Sequence, residues 1–211
     1  MTEHPVSHQA SESRADVPSG RDEAALIERS QGGDLRAFDQ LVLLHQQAVF
    51  AVALRMLGNR DDAQDVAQDA FVRAFRSIGT FRRESKLSTW LISITMNLCR
   101  NRRRWWARRR RLIVASLDDP IETEEGTLGQ EVADPSPTPA KTAEHHEQQR
   151  QLAAAMQVLR EAERTVIVLR DIQGYSYEEI AQILNCRVGT VKSRLSRARL
   201  QLRALLDGKL E

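Results

Sequence analysis

Residues 176–206 read SYEEIAQILNCRVGTVKSRLSRARLQLRALL, and this stretch decides the fold. Ser176 followed three residues later by Glu179 is a capping box, a reciprocal pairing that opens a helix. Ile180, Ile183 and Leu184 give that short helix one apolar side. Asn185–Val188 has the length of a turn joining two crossed helices. The second helix puts Val191, Leu195, Ala198, Leu202 and Leu205 on one stripe. At about 100° per residue, Ser193, Ser196 and Arg197 point the other way, flanked by Lys192, Arg194 and Arg199. No acid occurs from 187 to 203, against Arg187, Lys192, Arg194, Arg197, Arg199 and Arg203. The pattern is a helix-turn-helix, in which the first helix braces and the start of the second enters a major groove. Its long basic side chains reach base edges and phosphates, and its small serines let the helix sit deep. An αα-hairpin with a solvated basic face is the plainer alternative, and the missing acids argue against it.

Upstream of this motif the helical pattern resumes at Leu152, Met156 and Leu159, and a further helix covers about 161–172, ending before Gly174. Residues 113–143 have no periodicity and contain Pro120, Pro135, Pro137 and Pro139. They hold seven acids (Asp118, Asp119, Glu122, Glu124, Glu125, Glu131 and Asp134) against one base, Lys141. Such a segment cannot bury enough apolar surface to fold alone and reads as an acidic flexible linker. Before it, residues 100–111 carry eight Arg and no acid, with Trp105 and Trp106 inside the run. Leu87, Leu91, Ile94 and Leu98 precede that run at helical spacing, as do Ala67, Phe71, Ala74 and Ile78 on a helix starting at Asp61. Asp34 is the expected cap, and Gly58 the expected stop, of a helix carrying Leu35, Phe38, Leu41, Val42, Val49, Val52, Met56 and Leu57. Residues 1–21 are polar and read as a disordered tail. No segment alternates with period two. The fold class is all-α: two small helical domains, 22–112 and 144–211, joined by the acidic linker 113–143.

The whole chain has 211 residues, 41% of them apolar, and a formal charge of +2. That balance conceals two basic clusters on either side of an acidic segment, which suggests two contacts with one polyanion. Cys99 and Cys186 lie in different domains and rule out a disulfide scaffold, and both read as small apolar residues. His145 and His146 have no partners at ligand spacing, so neither a metal nor a cofactor is expected. No stretch approaches 18 consecutive apolar residues and the N-terminus has no apolar signal core, so a cytoplasmic protein with no membrane insertion is expected. No nucleophile–base pair or phosphate-binding glycine loop points to an enzyme.

The string SYEEIAQILNCRVGTVKSRLSRAR resembles the fourth-region domain of bacterial sigma factors of the extracytoplasmic-function (ECF) group. The string DDAQDVAQDAFVRAFRSIGTFRRESKLSTWLISITMNLCRNRRR resembles their second-region domain. Two departures stand out: Arg187 occupies a position where proline is common, and Arg83 one where glycine is usual.

The resemblance implies a sigma initiation factor that binds RNA polymerase core, through its clamp coiled coil and flap, and directs it to promoter DNA. It implies docking on the clamp by Asp65, Gln68 and Asp69. For reading the −35 element it implies Lys192, Ser193 and Ser196, with Arg187, Thr190, Arg194, Arg197 and Arg199 on or beside the same helix face for phosphate. For the −10 element it implies a pocket for a flipped base within Arg83–Ser88, together with Asn97. Glu84, Ser85, Lys86 and Ser88 supply polar groups for such a base, and Trp90 is either a stacking surface or core packing. Arg100, Arg103 and Arg104 suit a separated, fully charged strand. An anti-sigma factor is a further implied partner, and the acidic linker is implied to lie in a channel for RNA. The rival readings are a stand-alone helix-turn-helix regulator binding an operator as a dimer and a nucleic-acid-modifying enzyme with a basic cleft.

Overall fold

The computed structural model describes residues 20–116 and 139–208. These residues form eight α-helices and no strand. They are α1 (Gly20–Gln31), α2 (Leu35–Leu57), α3 (Arg60–Ser77), α4 (Leu87–Ser116), α5 (Pro139–Val158), α6 (Glu161–Ile167), α7 (Tyr177–Leu184) and α8 (Val188–Leu206). A 3₁₀ turn at Ile78–Thr80 follows α3, and one π-helical turn at Val168–Ile172 extends α6. Residues 1–19 of the expected tail, residues 117–138 of the linker and the side chains of His145 and His146 lie outside the described residues.

Local chemistry sets the helix ends. Asp34 accepts from the Ala37 N–H at the start of α2. Gly58 closes α2 in the left-handed region at φ 75°, with its N–H bonded to Leu54 O, a conformation that costs glycine nothing. The start of α3 differs from expectation. Asn59, two residues before Asp61, is the cap and accepts from Asp62 N–H at 2.9 Å. Asp61 and Asp62 then sit in the first turn, where the helix dipole favours acids. Helix α4 continues to Ser116 and α5 begins at Pro139, so helix extends past both expected linker boundaries.

The first bundle packs α1, α3 and α4 around α2. By length and composition α2 could cross a bilayer. Its buried Ala37, Phe38, Leu41, Val49, Val52, Ala53 and Met56 instead face the neighbouring helices, the pattern of a core helix. On α3 the buried stripe is Ala63, Val66, Ala70 and Ala74, while Ala67 and Phe71 are half-buried. The stripe is therefore rotated from the expected one, because small alanines permit close approach to α2. On α4 burial extends beyond the expected stripe to Ile92, Met96 and Cys99. That helix is covered on two sides, by α2 and α3 and by α7 of the second bundle.

The second bundle is α5–α8, with Met156, Leu159, Val166–Leu169, Ile180, Ile183, Val191, Leu195 and Ala198 at its centre. The two bundles share one continuous apolar core. Arg164 lies at their junction with no exposed surface. It donates to Met56 O (3.1 Å) at the end of α2, to Gln157 Oε1 (2.7 Å) and O, and to Leu159 O (3.2 Å) beyond α5. A buried cation is tolerated here because two helix C-termini, each carrying partial negative charge, converge on it. Burial pushes its pKa down to about 10, so the guanidinium stays charged at neutral pH.

Candidate nucleic-acid interface

The helix-turn-helix is built almost wholly from near neighbours. Ser176 Oγ accepts from Glu179 N–H at 3.1 Å, and Glu179 Oε2 accepts from Ser176 N–H at 2.8 Å. These bonds, Ser176 first and then Lys86, hold the Glu179 carboxyl below its ordinary range. Asn185 ends α7 in the left-handed region at φ 47°, which asparagine tolerates better than most residues. Arg187 caps α8 with φ −73°, a value proline also adopts, so the departure at this position leaves the turn intact.

On α8, Val191, Leu195 and Ala198 are buried, as the stripe predicts, and Leu202 and Leu205 are half-buried. Arg187, Lys192, Ser193, Ser196, Arg197 and Arg199 are exposed, and Thr190 and Arg194 are half-buried. Lys192 Nζ stands 5.7 Å from the Tyr177 ring. Arg199 forms a two-point ion pair with Asp171, which raises its pKa and turns it toward the π-helical turn. The exposed early face of α8 is thus small and basic.

The loop before α4 is held from a distance. Gln31 Nε2 on α1 donates to Ile78 O (3.1 Å) and Phe81 O (2.9 Å). Arg83, at the position where the resemblance has glycine, adopts φ 59°. That left-handed conformation costs a residue with a Cβ about 1–2 kcal/mol. Its side chain is tied to Glu28 at 2.9 Å and to Gln31 at 3.4 Å. Glu84 and Lys86 are exposed, and Ser85 and Ser88 are half-buried. Lys86 Nζ reaches Glu179 Oε1 of the second bundle at 2.9 Å.

Helix periodicity divides the α4 residues into two sets. Trp90, Asn97 and Arg104 recur every seven residues, each about 20° from the next. Asn97 and Arg104 are exposed, and Trp90 is half-buried with its ring 5.1 Å from Phe81. Ser88 lies about 180° from Asn97, on the side facing the second bundle. Arg103 is on that side too and donates to Met56 O at 3.2 Å. Arg100 and Arg103 each stand 4.0 Å from Glu161.

Trp105 and Trp106 are 42% and 40% exposed, which large aromatics seldom are without a partner. Their rings meet edge to face at 4.8 Å, and Arg109 lies 5.3 Å over Trp105. Trp106 Nε1 donates to Asp62 Oδ2, and Arg102 bridges Asp62 and Asp65. These contacts fasten α4 to the acidic face of α3, where Asp65, Gln68 and Asp69 are all exposed. Among the described residues no group of His, Cys, Asp and Glu could hold a metal ion.

This arrangement can be set beside known proteins. Residues 41–111 match the sigma-70 region 2 family, and residues 149–202 match sigma-70 region 4. The RNA polymerase sigma-H factor of Pseudomonas aeruginosa is 39% identical over 174 residues, covering 82% of this chain and 88% of the relative. The chain belongs to the ECF sigma factors. The ECF RNA polymerase sigma-E factor of Haemophilus influenzae is 38% identical over 83% of this chain and 90% of its own length. Among solved structures, the sigma factor RpoE in complex with the anti-sigma factor NepR from Bartonella quintana superposes with a TM-score of 0.61 at 29% identity. That match covers 82% of this chain and 98% of the other. Family membership makes the chain a transcription initiation factor.

Several residues of this sigma factor escape a reading of local pattern. Glu28 and Gln31 position the loop, Glu179 pairs with Lys86 in it, and Glu161 stands beside Arg100 and Arg103 further along α4, all through partners distant in sequence. The signal that was available lay in the departure at Arg83. A non-glycine residue at a glycine position needs an external hold, and Glu28 and Gln31 provide it.

Proposed function

We propose that this sigma factor binds RNA polymerase core through Asp65, Gln68 and Asp69 on α3, reads −35 duplex with α8, and captures an unpaired −10 strand with α4 and the loop before it. Polymerase makes the phosphodiester bonds and the sigma factor has no reaction of its own, so it acts in the cytoplasm beside polymerase. On α8, Lys192, Ser193 and Ser196 read base edges, while Arg187, Thr190, Arg194, Arg197 and Arg199 position the helix on phosphates. On the first domain, Glu84, Ser85 and Lys86 of the loop address a flipped base together with Asn97, while Ser88, on the opposite face of α4, faces the second bundle. Trp90 is mainly core, and Arg100, Arg103 and Arg104 hold the strand. The exposed Trp105–Trp106 pair beside Arg109 extends that strand surface, since base–aromatic stacking suits unpaired nucleotides. RNA polymerase core, promoter DNA and an anti-sigma factor are its partners.

The observation that carries this reading is the pairing, in one chain, of a groove-sized basic helix face with an arginine and tryptophan helix suited to separated strands. A stand-alone regulator has no use for the second surface. The test is a gel shift with promoter duplex and purified components. A stable complex is expected only when core and the chain are both present. Specific binding by the chain alone, with dimer stoichiometry, would favour the operator-binding regulator instead.

A further inference from the structure

We infer that Tyr177 is a specificity-determining positioning residue for the −35 read, its ring setting where the Lys192 ammonium enters the groove. This inference rests on the base-reading role proposed above for Lys192. Tyr177 is the first residue of α7 and is half-buried, and its ring reaches α8 at Lys192. Lys192 Nζ stands 5.7 Å from the centre of that ring, and the Arg170 guanidinium stands 4.7 Å from the same centre. A cation within about 6 Å of an aromatic centroid is drawn to the electron-rich face. Neither Tyr177 nor Arg170 belongs to the recognition helix, and neither is among the residues assigned to DNA above.

The ring is held in place by its surroundings. The capping box of Ser176 and Glu179 fixes the backbone from which Tyr177 starts α7. Arg170 Nη1 donates to Tyr175 O at 2.8 Å, which keeps the guanidinium beside the ring. Arg170 comes from the π-helical turn Val168–Ile172, closed by Gln173 N–H donating to Val168 O at 3.0 Å. Such turns occur often at functional sites. The next residue of that turn, Asp171, takes Arg199 through two hydrogen bonds. Lys192 and Arg199 are seven residues apart, so they lie within about 20° on α8 and about 10 Å apart along its axis. The segment from Arg170 to Tyr177 therefore meets one stripe of α8 at two points, which keeps ring and lysine in register.

A lysine needs such a guide more than an arginine does. Its ammonium is a point charge on a flexible four-carbon stem, with no planar fork to orient it. Freezing that stem against a base edge costs rotamer entropy. A ring that already restricts the stem lowers the cost only for the pose it favours, so the gain falls on one base and not on others. Lys192 is exposed, and an ammonium resting on the ring keeps N–H groups for groove acceptors such as guanine O6 and N7. At an exposed site the ring contact corresponds to about a two- to fivefold effect.

The test uses the full chain with core polymerase, and promoter duplexes in which each −35 base pair is substituted in turn. Tyr177→Leu removes the ring. Discrimination at one base pair should fall about two- to fivefold, through weaker binding of the native duplex alone. Tyr177→Gln, a second ring-free variant that suits a helix, should act in the same way and covers any failure of Tyr177→Leu to fold. Tyr177→Phe keeps the ring, loses only the hydroxyl, and should discriminate as the unaltered chain does. In the Lys192→Ala background Tyr177→Leu should change discrimination no further, because the ring acts through that lysine. An equal loss on every duplex would make Tyr177 a packing residue. Equal losses from the Phe and Leu variants would make it a hydroxyl contact to phosphate. A further loss of discrimination without Lys192 would make it act on its own. Each of these results overturns the inference. Lys192→Ala alone reports on the reading beneath it: an equal loss on all duplexes ends the base-reading role and the inference with it. A loss confined to one base pair, with discrimination intact in Tyr177→Leu, shows that the positioning alone is wrong.

Discussion

The helix-turn-helix takes its shape from contacts between near neighbours, whereas the loop before α4 takes its shape from residues about fifty positions away. In the first, Ser176 and Glu179 cap each other and Asn185 turns the chain, all within ten residues. In the second, Gln31 anchors Phe81 O and Glu28 anchors Arg83, at separations of 50 and 55 residues. The difference fits the task. A helix that enters a preformed major groove can be a self-contained part. A pocket for a base that exists only after strands separate needs an external frame to keep it open beforehand, because the loop has no ladder of its own.

The largest predicted effect falls where both regions share support. Arg164→Ala should lower stability by about 3–5 kcal/mol, because it leaves the carbonyls of Met56, Gln157 and Leu159 without their buried donor. Urea unfolding measures it, and a loss under about 1 kcal/mol would mean that the two helix ends do not depend on this residue. Next is Asp69→Arg, which places a cation on the exposed face of α3. Core affinity should fall by about 2 kcal/mol, near thirtyfold, with helix content by circular dichroism unchanged. Unchanged affinity would move the docking face elsewhere.

Two substitutions then set one region against the other. Lys192→Ala should cost about 1–3 kcal/mol in promoter binding, and the loss should depend on the −35 sequence. An equal loss on promoters with altered −35 elements would reduce Lys192 to a phosphate contact. Gln31→Ala removes two bonds to the loop and should cost about 1 kcal/mol. Its defect should appear in promoter opening and be rescued by a premelted template, while −35 binding stays intact. A matching loss of −35 binding would break the division between the two regions. The smallest effect belongs to Arg83→Gly. Relief of the left-handed strain outweighs the added freedom of glycine and an exposed ion pair, so thermal unfolding should show a gain of about 0.5 kcal/mol. A clear loss would show that the hold on Arg83 by Glu28 matters more than the strain.

The same contrast explains what was legible in the sequence. The capping box, the Gly58 stop, the Asp34 cap and the α8 stripe are local patterns, and the structure places each as the spacing predicts. The α3 stripe was rotated because the choice between alanines depends on how closely α2 approaches. The breadth of burial on α4 was hidden because it arises from a second domain. Trp105 and Trp106 are half exposed although α4 is fastened to the start of α3 beside them through Trp106 and Asp62. The inner and outer sets of α4 residues could be drawn from a helical wheel, but which set faces the second domain could not. Glu179 gave no sign of lying beside the loop, nor Glu161 of lying beside Arg100 and Arg103, since nothing in their own sequence surroundings refers to the first bundle.

The account holds that one chain reads two promoter elements by two different means, duplex at −35 and unpaired strand at −10. Run-off transcription from a template library randomised in both blocks and in the spacing between them tests this most directly. With core and the chain together, the transcribed templates should be enriched in two sequence blocks about 25 base pairs apart at one preferred spacing. Heteroduplex templates opened at the second block should lose the demand for its template-strand sequence while keeping that for the non-template strand. Enrichment of a single duplex motif, or the same motif selected by the chain without core, would contradict it.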